Sequence, residues 1–191
     1  MIKYKYILIF ISVFSLSTYA QNANNDKAVQ QEWRGTHFSS DKSLMGNIKE
    51  VKEIEQILTV FEKGNLEELS VAEENLTIFI PLDSALEKMK RRERKAFLEN
   101  TPKSELIAMW KEYIVPGRID EHAIKRNIEN REGNSIFVRT LGNNQLEFLL
   151  KNQEVYVRDA YGKEAKLVKG NFYHNHGFFH FIDNLLYYET K

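Results

Sequence analysis

Three histidines near the carboxyl end come closest, in type and spacing, to a metal site. His174, His176 and His180 would supply imidazole ligands to zinc or copper if one strand presented all three on a common face. However, Asn175-His176-Gly177 has the composition of a turn, which would break that face. His180 follows two phenylalanines and is expected in the core, where a buried imidazole needs a hydrogen-bond partner. We therefore expect no metal site and no cofactor.

A basic run within residues 88–95 is the strongest charge feature of the chain. Its cations are Lys88, Lys90, Arg91, Arg92, Arg94 and Lys95. One interpretation is a solvated helix face near the carboxyl end of a helix, where cations interact favourably with the helix dipole. The other is a patch that binds acidic polysaccharide, lipopolysaccharide phosphates or anionic lipid headgroups. Binding of the second kind is expected to weaken steeply with salt.

Sequence motifs of common enzymes are absent. The chain has no cysteine, no Gly-x-Ser-x-Gly elbow, no phosphate-binding glycine loop and no His-Glu-x-x-His, so no activated nucleophile or zinc-protease pair can be assembled. Neighbouring acids such as Glu67 with Glu68 fall in polar stretches, with no sign of a cleft that would hold two carboxylates apart. We expect a binding protein and not an enzyme, with an unrecognised hydrolase as the remaining catalytic alternative.

The first 20 residues have the pattern of a secretory signal peptide. Lys3 and Lys5 precede an apolar run over residues 6–16, and small residues precede a cleavage point before Gln21. The run is shorter than the roughly 20 apolar residues of a spanning helix, so we expect cleavage, with no stable membrane span afterwards. The sequence thus predicts export to the periplasm, the cell surface or the extracellular space.

The charge of the exported chain argues against nucleic acid as a partner. Loss of Lys3 and Lys5 from the 27 basic residues leaves 25 against 27 acidic ones, a net charge of −2. Proteins that bind nucleic acid generally carry a clear basic excess. The partner is therefore expected to be a protein, a glycan or a small ligand.

The elements that must position any site begin after a polar stretch. Residues 21–43 are expected to form a polar tether, in which Trp33 and Phe38 are exceptions that could fold back on the domain as a lid strand. Residues 44–191 form the predicted domain. Apolar residues at every third or fourth position from 44 to 61 predict one amphipathic helix, which Gly64 can end.

Helix signals continue through the first half, and strand signals fill the second. Residues 76–81 are β-branched and aromatic and end in proline, which predicts a buried strand. Asp83 is expected to cap a following helix, and Thr101 followed by Pro102 indicates another helix start. Short apolar runs separated by Gly and Asn then predict strands at 136–140, 145–150, 154–158, 165–168 and 178–186. The fold class is therefore α+β.

Three segments, in order, resemble the motifs of the fasciclin family. They are Leu-Thr-Ile-Phe-Ile-Pro-Leu-Asp-Ser-Ala-Leu at 76–86, Tyr-Ile-Val-Pro-Gly-Arg-Ile at 113–119, and Gly-Phe-Phe-His-Phe-Ile-Asp-Asn-Leu-Leu at 177–186. The resemblance implies a twisted wedge of about seven β-strands with helices packed at one side. One departure is that Glu112 and Tyr113 occupy the positions of a Tyr-His pair typical of the family.

The resemblance also implies a function, namely non-enzymatic adhesion to a surface or matrix protein or a glycan by a monomeric module. The implied apolar contact is formed by Tyr113, Ile114, Val115 and Pro116. The alternative is that these residues belong to the core at a strand end. Asp83, His180 and Asp183 are expected to be structural. A second functional alternative is a polyanion-, glycan- or small-ligand-binding protein that uses the basic run.

Overall fold

The computed structural model describes residues 27–72, 75–130 and 135–188. The expected signal peptide, residues 1–20, lies outside these ranges. Helices fill most of the first half of the described chain and strands most of the second. The predicted α+β class is therefore confirmed.

Two sheets contain all the strands of the described residues. The strands are β1 Gln30–Trp33, β2 Thr36–Ser39, β3 Leu76–Pro81, β4 Ile114–Pro116, β5 Ser135–Arg139, β6 Gln145–Lys151, β7 Glu154–Arg158, β8 Glu164–His174 and β9 Gly177–Ile182. Strands β1 and β2 pair as a hairpin, and the other seven form one sheet in the order β4-β3-β9-β8-β7-β6-β5. All five strand segments expected in the second half are present, but the fourth continues to His174 and the last ends at Ile182 instead of residue 186.

The seven-stranded sheet curls until its ends nearly meet. The Leu141 amide beyond β5 donates to the Ile114 carbonyl of β4 at 2.9 Å, so the two edges of the sheet are joined at one point. Strand β9 lies between β3, to which it is parallel, and β8, to which it is antiparallel. Every residue of β3 and β9 is buried, as expected for strands covered on both faces.

Seven α-helices accompany the sheet within the described residues. They are α1 Leu44–Ile48, α2 Glu55–Lys63, α3 Leu66–Ser70, α4 Ser84–Glu87, α5 Arg91–Asn100, α6 Lys103–Lys111 and α7 Glu121–Glu129. Helix α7 is capped by Asp120, whose side chain accepts from the Ala123 amide at 2.7 Å, and it buries Ile124 and Ile128. No sequence prediction covered α7, although an acid cap followed by isoleucines four apart is a helix signal.

The single helix expected from 44 to 61 is wrong in its continuity. The structure divides this stretch into α1, a 3-10 turn at Lys52–Ile54, and α2, which ends at Gly64 as predicted. Val51 is extended and breaks the helical path, while Ile48, Val51, Ile54 and Ile57 are all buried. The apolar spacing therefore predicted the buried residues correctly, because a broken helix can still pack the same side chains against the core.

The two predicted helix caps act differently from what we expected. The carboxylate of Asp83 does not cap its own helix; instead it accepts from the Gln56 and Ile57 amides of α2, both at 2.9 Å. Thr101 ends α5, since its hydroxyl donates to the Phe97 carbonyl at 2.9 Å, and Pro102 is the cap residue of α6. Asp83 thus fastens the end of β3 to the start of α2, a long-range structural role.

The polar tether is shorter than predicted, because the hairpin β1–β2 belongs to the folded domain. Phe38 is fully buried, and Trp33 stacks on Phe181 of β9 with ring centroids 4.7 Å apart. The side chain of Gln31 bonds to the backbone of β8, accepting from the Tyr173 amide at 3.0 Å. The alternative that Trp33 and Phe38 fold back onto the domain is therefore confirmed.

The three family-like segments hold one another in place. The Thr77 hydroxyl of the first segment donates to the Gly117 carbonyl of the second at 2.6 Å. The Tyr113 hydroxyl of the second donates to the Leu186 carbonyl of the third at 2.6 Å and lies 2.6 Å from the Leu186 amide nitrogen. The first and third segments pair as β3 and β9, and a Cβ on Gly177 would lie 1.8 Å from the Leu76 carbonyl oxygen. These segments therefore specify the fold.

Candidate functional site

His180 is a satisfied core residue, as predicted. Its ring is fully buried, with Nε2 2.8 Å from the Ile119 carbonyl and Nδ1 accepting from the Asn171 amide at 3.2 Å. This pair of contacts fits the neutral Nε2–H tautomer, and burial lowers the pKa of His180 to about 4. Strand β8 bulges opposite this ring. The imidazole therefore organises the strand that faces it.

The three histidines do not share a face. Asn175 and His176 form the turn between β8 and β9, as the sequence indicated. His174 is buried and lies 6.4 Å from the ring of Phe179, while His180 alternates with Phe179 and points to the opposite side of the sheet. Among the described residues, no three histidines or acids are grouped closely enough to hold a metal ion. The arrangement in which His174, His176 and His180 would share one face of a strand is therefore not formed.

The apolar segment proposed as a contact surface lies largely in the core. Tyr113, Ile114 and Val115 are buried, and only Pro116 is exposed. Tyr113 packs edge-on against Trp110, with centroids 5.2 Å apart. The prediction that these side chains meet a partner is therefore wrong for the first three, because no partner can reach them in this structure.

The basic run begins at Lys88, the carboxyl cap of α4, but its other cations lie at the amino end and in the first turns of α5. Lys90 is the cap residue, and Arg91 and Arg92 open the first turn, where a cation interacts unfavourably with the helix dipole. Lys88 is partly neutralised by Asp183, with Nζ 3.5 Å from Oδ2. Asp183 also accepts from the Lys166 amide at 2.7 Å, which agrees with its predicted structural role. The dipole does not explain the cations of α5.

A groove of about 950 Å³ opens on the described surface. Its walls are helices α5 and α6 on one side and three tyrosines, Tyr161, Tyr187 and Tyr188, on the other. Glu112 lines it just beyond the end of α6. Tyr161 is 68% exposed, and its ring meets that of Tyr187 nearly at right angles, with centroids 6.2 Å apart. The volume of this groove lies within the range that is usual for ligand-binding clefts.

Asp159 positions the tyrosine wall. One of its carboxylate oxygens accepts from the Tyr161 and Lys163 amides, both at 2.9 Å, which closes the turn between β7 and β8. The other accepts from the Tyr187 amide at 2.7 Å. The Tyr187 hydroxyl in turn donates to the Gln145 carbonyl at 2.6 Å. A single buried carboxylate therefore holds two tyrosine-bearing segments side by side.

Glu112 is the most unusual residue of the groove. It is only 8% exposed, and its carboxylate accepts from the Thr140 hydroxyl at 2.5 Å and from the Asn144 amide group at 2.9 Å. A Cβ on Gly142 would lie 1.9 Å from Oε1 of Glu112, so only glycine leaves room for this carboxylate. Burial, with the charge of Glu112 as the next contribution, raises the pKa of the neighbouring Tyr187.

Sequence reasoning missed most of this groove. Glu112 was noted only as a departure from the family pattern, and Asp159, Tyr161 and Tyr187 were not singled out. The available signals were the adjacent pair Tyr187-Tyr188 and an acid in a position usually taken by tyrosine. Neither signal shows that segments far apart in the sequence meet at one groove.

Comparisons with known proteins identify the family. The sequence model of the Fasciclin domain matches residues 50–188, and the chain therefore belongs to the Fasciclin domain family. Human periostin is 22% identical over 152 residues, which cover 78% of this chain and 16% of periostin. Among solved structures, a FAS1 domain pair from the insect cell adhesion molecule fasciclin I has a TM-score of 0.62 at 13% identity, covering 83% of this chain and 57% of that one.

These similarities concern one domain of the relatives and not their whole chains. The chain spans less than two thirds of the length of either relative. Fasciclin domains are found in cell adhesion molecules, as the insect protein shows, and the hairpin β1–β2 precedes the matched range. Across the described ranges, no helix combines the length and apolar character needed to cross a bilayer.

Proposed function

We propose that this chain is an exported, non-enzymatic adhesion module that binds a surface or matrix protein, with the groove between α5, α6 and the tyrosine wall as its contact face. The observation that carries the proposal is the exposed Tyr161 ring beside Tyr187 in a Fasciclin domain. Tyrosine supplies a large contact area with little loss of side-chain entropy and is enriched at interfaces. Export rests on the signal-like pattern of residues 1–20.

A second candidate is binding of an acidic glycan or another polyanion by the basic run. The observation that favours it is the placement of Arg91 and Arg92, exposed in the first turn of α5. Cations at a helix amino end are unfavourable on their own, but an anion bound there would interact with both the guanidinium groups and the helix dipole. This candidate uses the amino end of α5, where Arg92 also lines the groove.

The test is capture of surface-protein and polysaccharide preparations by the immobilised chain at low and high salt. Three variants accompany the wild type: Tyr161→Ala, a triple variant with Arg91, Arg92 and Arg94 changed to Ser, and Phe137→Ala. Phe137 is the matched control, since it is also an exposed aromatic residue, at 59%, but does not line the groove. Melting curves establish beforehand that each variant is folded.

The adhesion proposal predicts protein capture that Tyr161→Ala weakens roughly tenfold, as for a modest interface hot spot, and that Phe137→Ala leaves unchanged. High salt should have little effect on this binding. Loss of capture only in the triple arginine variant, together with loss at high salt, would support the polyanion candidate instead. Equal capture by all variants would contradict both assignments of the contact face.

A further inference from the structure

Glu112 carries a buried negative charge that lacks a countercharge. None of the ion pairs formed among the described residues includes it. Its two hydrogen-bond donors, Thr140 and Asn144, are neutral. It also follows the last turn of α6, where the helix dipole presents its negative end. Buried carboxylates are normally paired, because an unpaired buried charge is costly.

The groove beside Glu112 is otherwise suited to a cation. Tyr161 and Tyr187 meet at 77°, and an edge-to-face pair leaves ring faces open, where a cation is attracted by the aromatic quadrupole. Glu105 of α6 adds an exposed carboxylate to the lining. Of the charged residues that line the groove, three are acids, Glu93, Glu105 and Glu112, and two are cations, Lys90 and Arg92. The Nζ of Lys90 lies 3.6 Å from Oε1 of Glu93. The acid and the aromatic rings therefore face one space.

From this arrangement we infer that the groove is a receptor for a lysine or arginine side chain of the partner protein, with Glu112 as the anionic anchor and the tyrosine rings as its walls. The inference rests on the proposed adhesion function and names the chemistry that the partner presents. A guanidinium or ammonium group would supply the missing countercharge and donate to the free lone pairs of the Glu112 carboxylate. Gly142 keeps the space that this carboxylate needs.

Other ligands fit the groove less well. A neutral saccharide could stack on Tyr161 and donate hydroxyls to Glu112, but it would leave the buried charge uncompensated. A polyanion would be repelled by Glu112 and Glu105, so it would bind at the amino end of α5, where Arg91 and Arg92 lie. The charge of Glu112 thus selects a cation among the ligands that an aromatic groove can accept.

The experiment uses the full chain and small probes that isolate this chemistry. Nα-acetyl-arginine amide and Nα-acetyl-lysine amide, which keep their charged side chains, are titrated in the millimolar range. Backbone amide signals are followed by NMR. Nα-acetyl-citrulline amide is the neutral control, and cellobiose is the saccharide probe. Two variants are compared, Glu112→Gln and Glu105→Gln. The second is the matched control, because Glu105 lines the same groove but is exposed.

We expect both cations, but neither neutral probe, to shift the amide signals of Glu112, Asn144 and Tyr187. Glu112→Gln should weaken their binding roughly tenfold, the effect of losing a charged partner, and Glu105→Gln less than threefold. The melting temperature of Glu112→Gln should be unchanged or higher, because the amide oxygen can still accept from Asn144, the amide NH2 can donate to the Thr140 hydroxyl oxygen, and the buried charge is removed. A purely structural Glu112 would instead give a lower melting temperature and unchanged binding.

Three results would overturn the inference: no shift in the groove with either cation, equal affinity for citrulline and arginine, or saccharide binding that persists in Glu112→Gln. Its failure is separable from that of the adhesion proposal. Capture that depends on Tyr161 but not on Glu112 would support the groove as the contact face and refute only the binding of a cation. Cation binding without any Tyr161-dependent capture would refute the adhesion function and support the groove as a cation receptor.

Discussion

At the scale of single residues, buried polar groups determine much of this structure. His180 bonds to two backbone groups on different elements, and Asp83 fastens α2 to the end of β3. Asp159 joins the turn before β8 to the segment that carries Tyr187. A buried polar group with good partners fixes one arrangement, since an alternative packing would leave it unsatisfied. These side chains therefore set the geometry around the groove.

The buried histidines predict how stability depends on pH. Burial is the main reason that the pKa values of His174 and His180 are lowered to about 4, from about 6.5 in the unfolded chain. Below pH 6.5 the unfolded chain binds protons that the folded chain does not. The unfolding free energy should therefore fall as pH drops from about 6.5 towards 4, by about 1.4 kcal/mol per pH unit for each histidine.

Urea unfolding at pH 7.5, 6.0 and 5.0 measures this dependence. His180→Gln, in which the amide can replace both ring contacts, should reduce the slope, because one of the two buried imidazoles no longer titrates. His37→Gln is the control for the loss of an exposed imidazole, since His37 lies on the surface. An NMR titration in which the His180 ring protonates near pH 6.5 would refute the explanation.

At the scale of elements, the hairpin β1–β2 closes the outer face of β9. Phe38 lies 5.6 Å from Phe179 and 4.5 Å from Phe172, measured between ring centroids, and Trp33 stacks on Phe181. This hairpin precedes the part of the chain that the family model matches. The hairpin therefore covers aromatic side chains that would otherwise face solvent.

Truncation of Phe38 tests this role of the hairpin. Phe38→Ala should lower the unfolding free energy by about 3–5 kcal/mol, the usual cost of removing a buried aromatic ring. His37→Ala, on the same strand but exposed, should change it by less than about 0.5 kcal/mol. Both values come from urea unfolding at pH 7.5. A loss below about 1 kcal/mol in Phe38→Ala would mean that the hairpin contributes little to the core.

The elements also show what could be predicted from the sequence. Strand β3 and the five strands from β5 to β9 could be predicted because β-branched and aromatic runs between Gly and Asn turns depend only on local sequence. The break in the first helix could not be predicted, because Val51 leaves the helical path while its side chain stays in the core. The prediction that Asp83 caps the following helix is wrong for a related reason. Its carboxylate accepts from the Gln56 and Ile57 amides of a helix that lies 27 and 26 residues earlier in the chain.

At the scale of the whole molecule, the family motifs and the proposed binding face are different regions. Thr77, Tyr113 and Gly177 lock the three motifs together in the interior, so the residues that reveal the family build the fold. The groove is assembled from α5, α6, the turn at Tyr161 and the segment after Leu186. A groove of this kind is set by tertiary contacts, so the sequence could indicate adhesion without indicating where the partner binds.

The measurement that tests the central claim most directly is hydrogen exchange of the full chain, alone and with a captured protein partner. We predict slower exchange in peptides covering α5, α6, the turn at Tyr161 and the segment at Tyr187, with the hairpin β1–β2 and the Pro116 region unchanged. Slower exchange confined to the hairpin or to Pro116, with the groove unaffected, would contradict the assignment of the groove as the contact face.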